Sequence, residues 1–230
     1  MTKAYVITIT KHPGSVRAAN RLIKSSGGNM GGIIPEVFKA ITPEDDVDKL
    51  FDWHHLSDKK FHDKYSKPKN AMACFLSHFM LWKHCVSTKE EIIIFEHDAV
   101  IMDMMRIHGI DYNGCISFGK PSYGKYKTPA SLGVNKLISK EYFPGAHAYM
   151  IKPERAKELI EMAQKNASPT DLFLRNSNFD FLEEYYPWPV EVVESFSTVQ
   201  KKEGCLAKHK YNEKYEVDTT WDNITGGDTF

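Results

Sequence analysis

The sequence predicts an α/β protein with a mixed sheet flanked by helices. Three features of the chain point to it. A β-branched run at Tyr5–Thr10 leads into an amphipathic helical stretch and then a second apolar run at Ile33–Ile41. Strand, helix and strand within about 40 residues is the opening of an α/β sheet with a crossover connection. Further on, Ile92-Ile93-Ile94-Phe95 is a continuous apolar run, mostly β-branched, which is the pattern of a strand buried on both faces. That run ends in Glu96-His97-Asp98, an acidic cluster at the C-terminal end of a buried strand, where open α/β sheets place their ligands.

The elements follow in order. After the first strand, Lys11-His12-Pro13-Gly14 breaks the pattern, and Ser15 is the expected N-cap of a helix to about Lys24. That helix carries Val16, Ala19, Leu22 and Ile23 inward, with Arg17 and Arg21 one turn apart. The Ser25–Gly32 run, rich in glycine, reads as a flexible connection and lacks the order of an NTPase phosphate loop. Residues 42–69 turn polar and read as a peripheral excursion with one or two short helices, or a lid. Asn70 is placed to cap a helix over Ala71–Ser87, apolar nearly all round and therefore buried. A Ser77-His78 pair inside it needs hydrogen-bond partners. Later strands are expected at Cys115–Gly119, Phe143–Ile151 and Val190–Val193, with a helix over Pro153–Lys165 between the last two. The tail from about residue 200 is polar and irregular. No repeat and no second core is visible, so a single domain over 1–230 is expected.

Composition narrows the function classes. Lys plus Arg and Asp plus Glu are both 30, so no net charge favours nucleic acid or an anionic membrane. No stretch has the roughly 20 apolar residues that cross a bilayer. The start runs directly into a strand pattern, so a soluble, cytoplasmic protein is expected, bacterial or, if viral, in the host cytoplasm. Cys74, Cys85, Cys115 and Cys205 form no C-x-x-C pair, which fits reduced thiols. Cys74, His78 and Cys85 share a helix face and bring zinc to mind. With no fourth ligand at a recognisable spacing, buried small hydrophobes are the favoured role for these cysteines.

The acidic cluster has two readings from the residues alone. A solvated strand end is one. The other is a pair of hard oxygen ligands, Glu96 and Asp98, two residues apart on one face with His97 turned away, holding Mg²⁺ or Mn²⁺ against a diphosphate.

The order Ala73-Cys74-Phe75-Leu76-Ser77-His78, then Trp82, then Ile92 to Ala99 resembles glycosyltransferase family 25, which includes lipooligosaccharide and collagen galactosyltransferases. Pro144-Gly145-Ala146-His147-Ala148-Tyr149-Met150-Ile151 with Glu154, Arg155, Ala156 and Leu159 is similar to the family's small-residue strand and following helix. Pro169-Thr170-Asp171 occupies the place of its P-x-D segment, and the first strand with Arg17 and Arg21 resembles its N-terminal unit. Where the family reads E-D-D, this chain reads Glu96-His97-Asp98. The resemblance implies a GT-A-like, Rossmann-like fold and transfer of galactose or glucose from a UDP-sugar to a saccharide or glycoconjugate hydroxyl with inversion, as in lipopolysaccharide biosynthesis. It implies Mn²⁺ or Mg²⁺ on Asp98 with Glu96 assisting, and Asp171 as general base or, structurally, as the N-cap of a helix starting at Leu172. Arg17 and Arg21 could donate to phosphate or be exposed helix arginines. Ser77, His78, His97 and His147 are candidates for the nucleotide pocket, and Tyr123 or Tyr126 for stacking on a sugar. His97 also motivates a second expectation, a catalytically inactive glycan- or nucleotide-binding module on the same fold. A nucleotidyltransferase would need a glycine-rich triphosphate loop that Gly14 alone does not supply.

Overall fold

The computed structural model describes residues 2–62, 66–122, 124–143, 146–192, 196–199 and 216–217. Its main sheet has seven strands in the order β2 (Glu36–Lys39), β1 (Lys3–Thr8), β3 (Ile92–Glu96), β7 (Ala148–Ile151), β5 (Cys115–Ser117), β8 (Leu182–Tyr186) and β6 (Gly133–Lys136). β1 is parallel to both β2 and β3, and β5 is parallel to β8. β7 is inserted antiparallel between β3 and β5, and β6 closes the far edge antiparallel to β8. The expected mixed α/β sheet is therefore present. Two shorter ladders accompany it: β4 (Ala99–Ile101) pairs antiparallel with β9 (Val190–Val192), and β10 (Phe196–Ser197) pairs parallel with β11 (Glu216–Val217).

Strand periodicity sorts the core into two layers. Ala4 and Val6, Ile93 and Phe95, Ala148 and Met150 face one side, where α1 (Pro13–Ser26) packs Ala19 and Leu22 against them. Tyr5 and Ile7, Ile92 and Ile94, Tyr149 and Ile151 face the other. There α3 (Pro68–Thr88) and α4 (Pro153–Asn166) supply Phe75, Leu76, Phe79, Trp82, Ala156 and Leu159. Each such large side chain, fully withdrawn from water, stabilises the fold by about 1.5–3 kcal/mol.

Several boundaries differ from expectation for identifiable reasons. α1 is capped by His12, not Ser15: His12 Nδ1 accepts from the Ser15 backbone N–H at 3.1 Å, and Pro13 takes the first helical position. Ser15 Oγ instead accepts from Ile9 N–H at 2.9 Å and ties the loop back to β1. The glycine-rich run is held rather than loose. Ser25 and Ser26 end α1, Met30 is fully buried, and Asn29 O accepts from Met105 N–H at 2.8 Å.

Residues 42–62 are not peripheral. A 3-10 turn at Pro43–Asp45 and α2 (Val47–Trp53) bring Phe51 and Phe61 into edge contact with each other and both onto Phe75. Polar composition concealed this because a few aromatic anchors suffice to dock such a segment. α3 starts at Pro68 behind Lys67, and Asn70 donates its amide to Thr198 O at 2.7 Å instead of capping. β7 begins only at Ala148, five residues later than expected. Of the expected strand end at Val193 and the tail beyond residue 200, Val193 and all but 216–217 of the tail lie outside the described residues, as do Cys205, Tyr123, Pro144 and Gly145.

At the C-terminal ends of the parallel strands, β1 exits into α1 on one face and β2 exits into the segment leading to α2 and α3 on the other. β3 ends beside them, at the C-terminal edge of the sheet where open α/β folds place their ligands.

Candidate active site at the end of the central strand

β3 stops at Glu96, and His97 and Asp98 form the turn into β4. Glu96 has the parity of Ile92 and Ile94 and so leaves the sheet on the α3 face. Its Oε1 lies 3.2 Å from His78 Nε2 and 4.0 Å from Cys74 Sγ, one helical turn apart on α3. His78 Nδ1 is 2.9 Å from the Tyr149 hydroxyl, which also receives the Trp82 indole N–H at 2.8 Å. Cys74, His78 and Trp82 follow an i, i+4, i+8 stripe, so α3 presents all three along one line.

Burial by itself would push the Glu96 carboxyl up. A hydrogen bond with His78, helped by the electrostatic influence of the His78, His147 and His97 rings, outweighs it and holds the group below its ordinary value. Glu96 is thereby kept as a carboxylate, with 27% of its side-chain surface open.

Cys74 is the point on which the acidic residues converge. Its thiol is pushed well up by burial first, and then by the charges of Glu96, Asp171 and Asp98; a hydrogen bond with Thr170 opposes this. Three carboxylates from β3, the following turn and α5 (Thr170–Phe173) thus lie within electrostatic reach of one uncharged sulfur. Asp171 is not an N-cap: Pro169 holds that place, and Asp171 Oδ1 accepts from the adjacent Leu172 N–H at 2.9 Å. Burial pushes the Lys140 ammonium down, and the Asp171 charge partly opposes this.

His97 turns the other way, toward α1. Burial pushes its imidazole down to about 4; the Glu96 charge and a hydrogen bond to the Ile7 backbone oppose this, while His12 and Arg21 add to it. The ring is therefore neutral near pH 7, in contrast to the acidic residue expected at this place in the family's pattern. Arg21 is exposed on α1 within reach of His97, and Arg17 is exposed one turn earlier.

The remaining candidates are less open than the sequence suggested. Ser77 is fully buried, with Oγ donating to Ala73 O and accepting from Ile41 N–H, both at 2.9 Å. Its hydroxyl fastens the segment after β2 to α3 and is not open to a nucleotide. His78 is fully buried and reaches the site only through Glu96. His147 is fully buried before β7; its backbone O accepts from Glu96 N–H at 3.0 Å. Its ring lies over Gly119, where a Cβ would sit 2.3 Å from Nε2, so only glycine leaves room for it. Tyr126 stands edge-on to Trp188 at 5.7 Å.

Sequence reasoning missed Tyr149, Trp82, Cys74 and His12 as parts of this arrangement. The α3 stripe was a readable signal for Cys74 and Trp82. Tyr149 had none, because it arrives on a strand whose neighbours cannot be inferred from local pattern. The zinc set imagined from Cys74, His78 and Cys85 is replaced in space by Cys74, His78 and Glu96, whose candidate ligand atoms lie within 4.8 Å of one another. Cys85 instead donates to Glu90 O and Ile151 O at 3.2 and 3.6 Å. Among the described residues no helix is long and apolar enough to cross a membrane.

Comparison with known proteins bears on this arrangement. No curated protein sequence matches the chain. Among solved structures the chain is similar to the CTP:phosphocholine cytidylyltransferase LicC of Streptococcus pneumoniae, at 12% identity and a TM-score of 0.41, over 84% of this chain and 93% of that one. Residues 1–114, which carry Cys74, His78, Trp82 and the Glu96–Asp98 cluster, match the sequence model described as glycosyltransferase family 25 (LPS biosynthesis protein). Over that segment, the chain is similar to glycosyltransferase family 25.

Proposed function

We propose that the chain transfers a hexose, galactose or glucose, from a UDP-sugar to a saccharide hydroxyl with inversion, as a single cytoplasmic GT-A-like domain. The observation that carries the reading is the ionised, partly open Glu96 carboxylate at the C-terminal end of β3, inside the segment that matches the family. The acceptor hydroxyl attacks the anomeric carbon, and the UDP oxygen leaves from the opposite side. Asp171 takes the acceptor proton, and its placement with Glu96 and Asp98 around Cys74 supports that assignment. Arg21, on the α1 side, is suited to the diphosphate, with Arg17 behind it.

The residues fit a hard divalent cation. Glu96 Oε1 is engaged by His78 and Cys74, while Oε2 makes no hydrogen bond among the described residues, leaving an oxygen of an ionised carboxylate. Asp98 and Glu96 Oε2 would hold Mn²⁺ or Mg²⁺. Such a cation would supply charge neutralisation for a departing diphosphate.

The test is release of UDP from a panel of UDP-sugars with Mn²⁺, with Mg²⁺ and with chelator, alongside thermal unfolding under the same conditions. Metal-dependent release from one sugar is the expected result. A nucleotide present at about 100 times its Kd stabilises the fold by about 2.7 kcal/mol. Stabilisation by UDP without release of UDP from any UDP-sugar would make the chain a binding module instead. Neither effect with any nucleotide overturns both readings.

A further inference from the structure

We infer that Trp82 and Tyr149 are positioning residues that fix His78 as its neutral Nε2–H tautomer, so that its single ring proton is donated to Glu96. The functional part of this inference rests on the proposed role of Glu96; the proton assignment does not.

The assignment follows from counting donors. The Tyr149 hydroxyl is fully buried, 2.8 Å from Trp82 Nε1 and 2.9 Å from His78 Nδ1. An indole N–H can only donate, so the phenol oxygen accepts from Trp82. Burial holds the phenol protonated, its pKa raised well above the ordinary value. Its proton needs an acceptor, and His78 Nδ1 is the one within reach. A ring nitrogen that accepts carries no hydrogen, so the proton of the neutral imidazole sits on Nε2, 3.2 Å from Glu96 Oε1. The opposite tautomer would strand the Tyr149 proton and set a nitrogen lone pair against a carboxylate. An imidazolium would strand the Tyr149 proton as well, and a buried donor left unmet is costly.

Two consequences follow for the site. Cys74, His78 and Glu96 have the spacing of a three-ligand transition-metal set. With the Nε2 proton directed at Glu96 Oε1, the imidazole offers no lone pair to a metal, and the trio is a hydrogen-bonded cluster and not a zinc centre. The ordered donors also fix which oxygen of Glu96 is occupied. Oε1 is engaged by His78 and Cys74, and Oε2 makes no hydrogen bond among the described residues.

The decisive measurement is long-range ¹H–¹⁵N NMR of protein carrying ¹⁵N-labelled histidine, with the His78 resonances assigned by their loss in His78→Gln. The expected pattern is a bare, pyridine-type Nδ1 and a protonated, pyrrole-type Nε2. A protonated Nδ1, alone or together with a protonated Nε2, overturns the assignment. Tyr149→Phe removes the proton that selects the tautomer and should move both nitrogens toward intermediate shifts. The same variant should lower kcat for sugar transfer about ten-fold with the donor KM unchanged; a folded variant with unchanged kcat overturns the positioning role. Addition of Co²⁺ should give no thiolate-to-metal charge-transfer band, and a band that vanishes in Cys74→Ser would overturn the cluster reading. Were the wild-type protein to transfer no sugar, the proposed reaction would fail while the NMR result still decided the proton assignment.

Discussion

His78 Nε2 lies 3.2 Å from Glu96 Oε1, joining a fully buried side chain of α3 to the last residue of β3. One partner has no contact with solvent and the other is partly open, so the pair conveys the order of the core to the exposed end of β3. Its consequences, and those of its neighbours, can be measured.

Asp171→Asn should lower kcat by about 10²-fold or more if its carboxylate removes the acceptor proton. Asp98→Ala should abolish turnover through loss of the cation. Both side chains lie outside the hydrophobic core, so the midpoint of thermal unfolding should stay within a few degrees of wild type. Unchanged turnover in either variant would remove that residue from the mechanism.

Ser77→Ala should destabilise the protein by about 1–3 kcal/mol, because it leaves the Ile41 N–H without its acceptor at 2.9 Å. The affinity for UDP should not change. Urea denaturation and a binding isotherm separate the two, and weaker UDP binding at unchanged stability would return Ser77 to the nucleotide pocket.

Gly119→Ala brings a Cβ to 2.3 Å from His147 Nε2, inside a fully buried environment, and should cost on the order of 1–3 kcal/mol by overpacking. Combining it with His147→Ala should give a loss smaller than the sum of the two single losses. Strict additivity would show that the ring is not what excludes a side chain at this position.

His97 gives a pH dependence whose sign is fixed. The folded protein keeps the ring neutral down to about 4, whereas the unfolded chain protonates it near the ordinary 6.5. Between these values the unfolded state binds more protons, so the His97 contribution is full above pH 6.5 and fades as pH falls through the window. The difference in stability between wild type and His97→Asn should shift by roughly 2 kcal/mol on going from neutrality to about pH 4.5. A constant difference across that range would mean that His97 is solvated.

Much of this architecture could be read from local pattern, and the rest depended on non-local pairing. Ile92–Phe95 announced a central strand because burial on both faces leaves no room for polar residues. The helix of Met72, Phe75 and Trp82 was equally plain, since apolar residues occur all round it. The antiparallel insertion of β7 was invisible, because four residues of strand carry no mark of which strands flank them. His12 was passed over as a cap because a hydroxyl stood three residues later, yet that hydroxyl had a stronger use on Ile9. At the site, the parity of Glu96 and His97 could be read from the strand period. The position of Asp171 beside Cys74 could not be read from the sequence, because it depends on how α5 docks on α3.

The antiparallel insertion of β7 also constrains any attempt to divide the chain. A fragment ending at residue 114, where the family match stops, would contain His78, Trp82 and Glu96 but neither Tyr149 nor the strand that covers one side of β3. Such a fragment would expose the backbone edge of Ile92–Phe95, a flat and wholly apolar row open to self-association. Synthesis from the N-terminus exposes the same edge until residues 148–151 have emerged and slotted into place. The end of the sheet that carries the candidate site is thus completed late, and the interval before it closes leaves the nascent chain prone to aggregate.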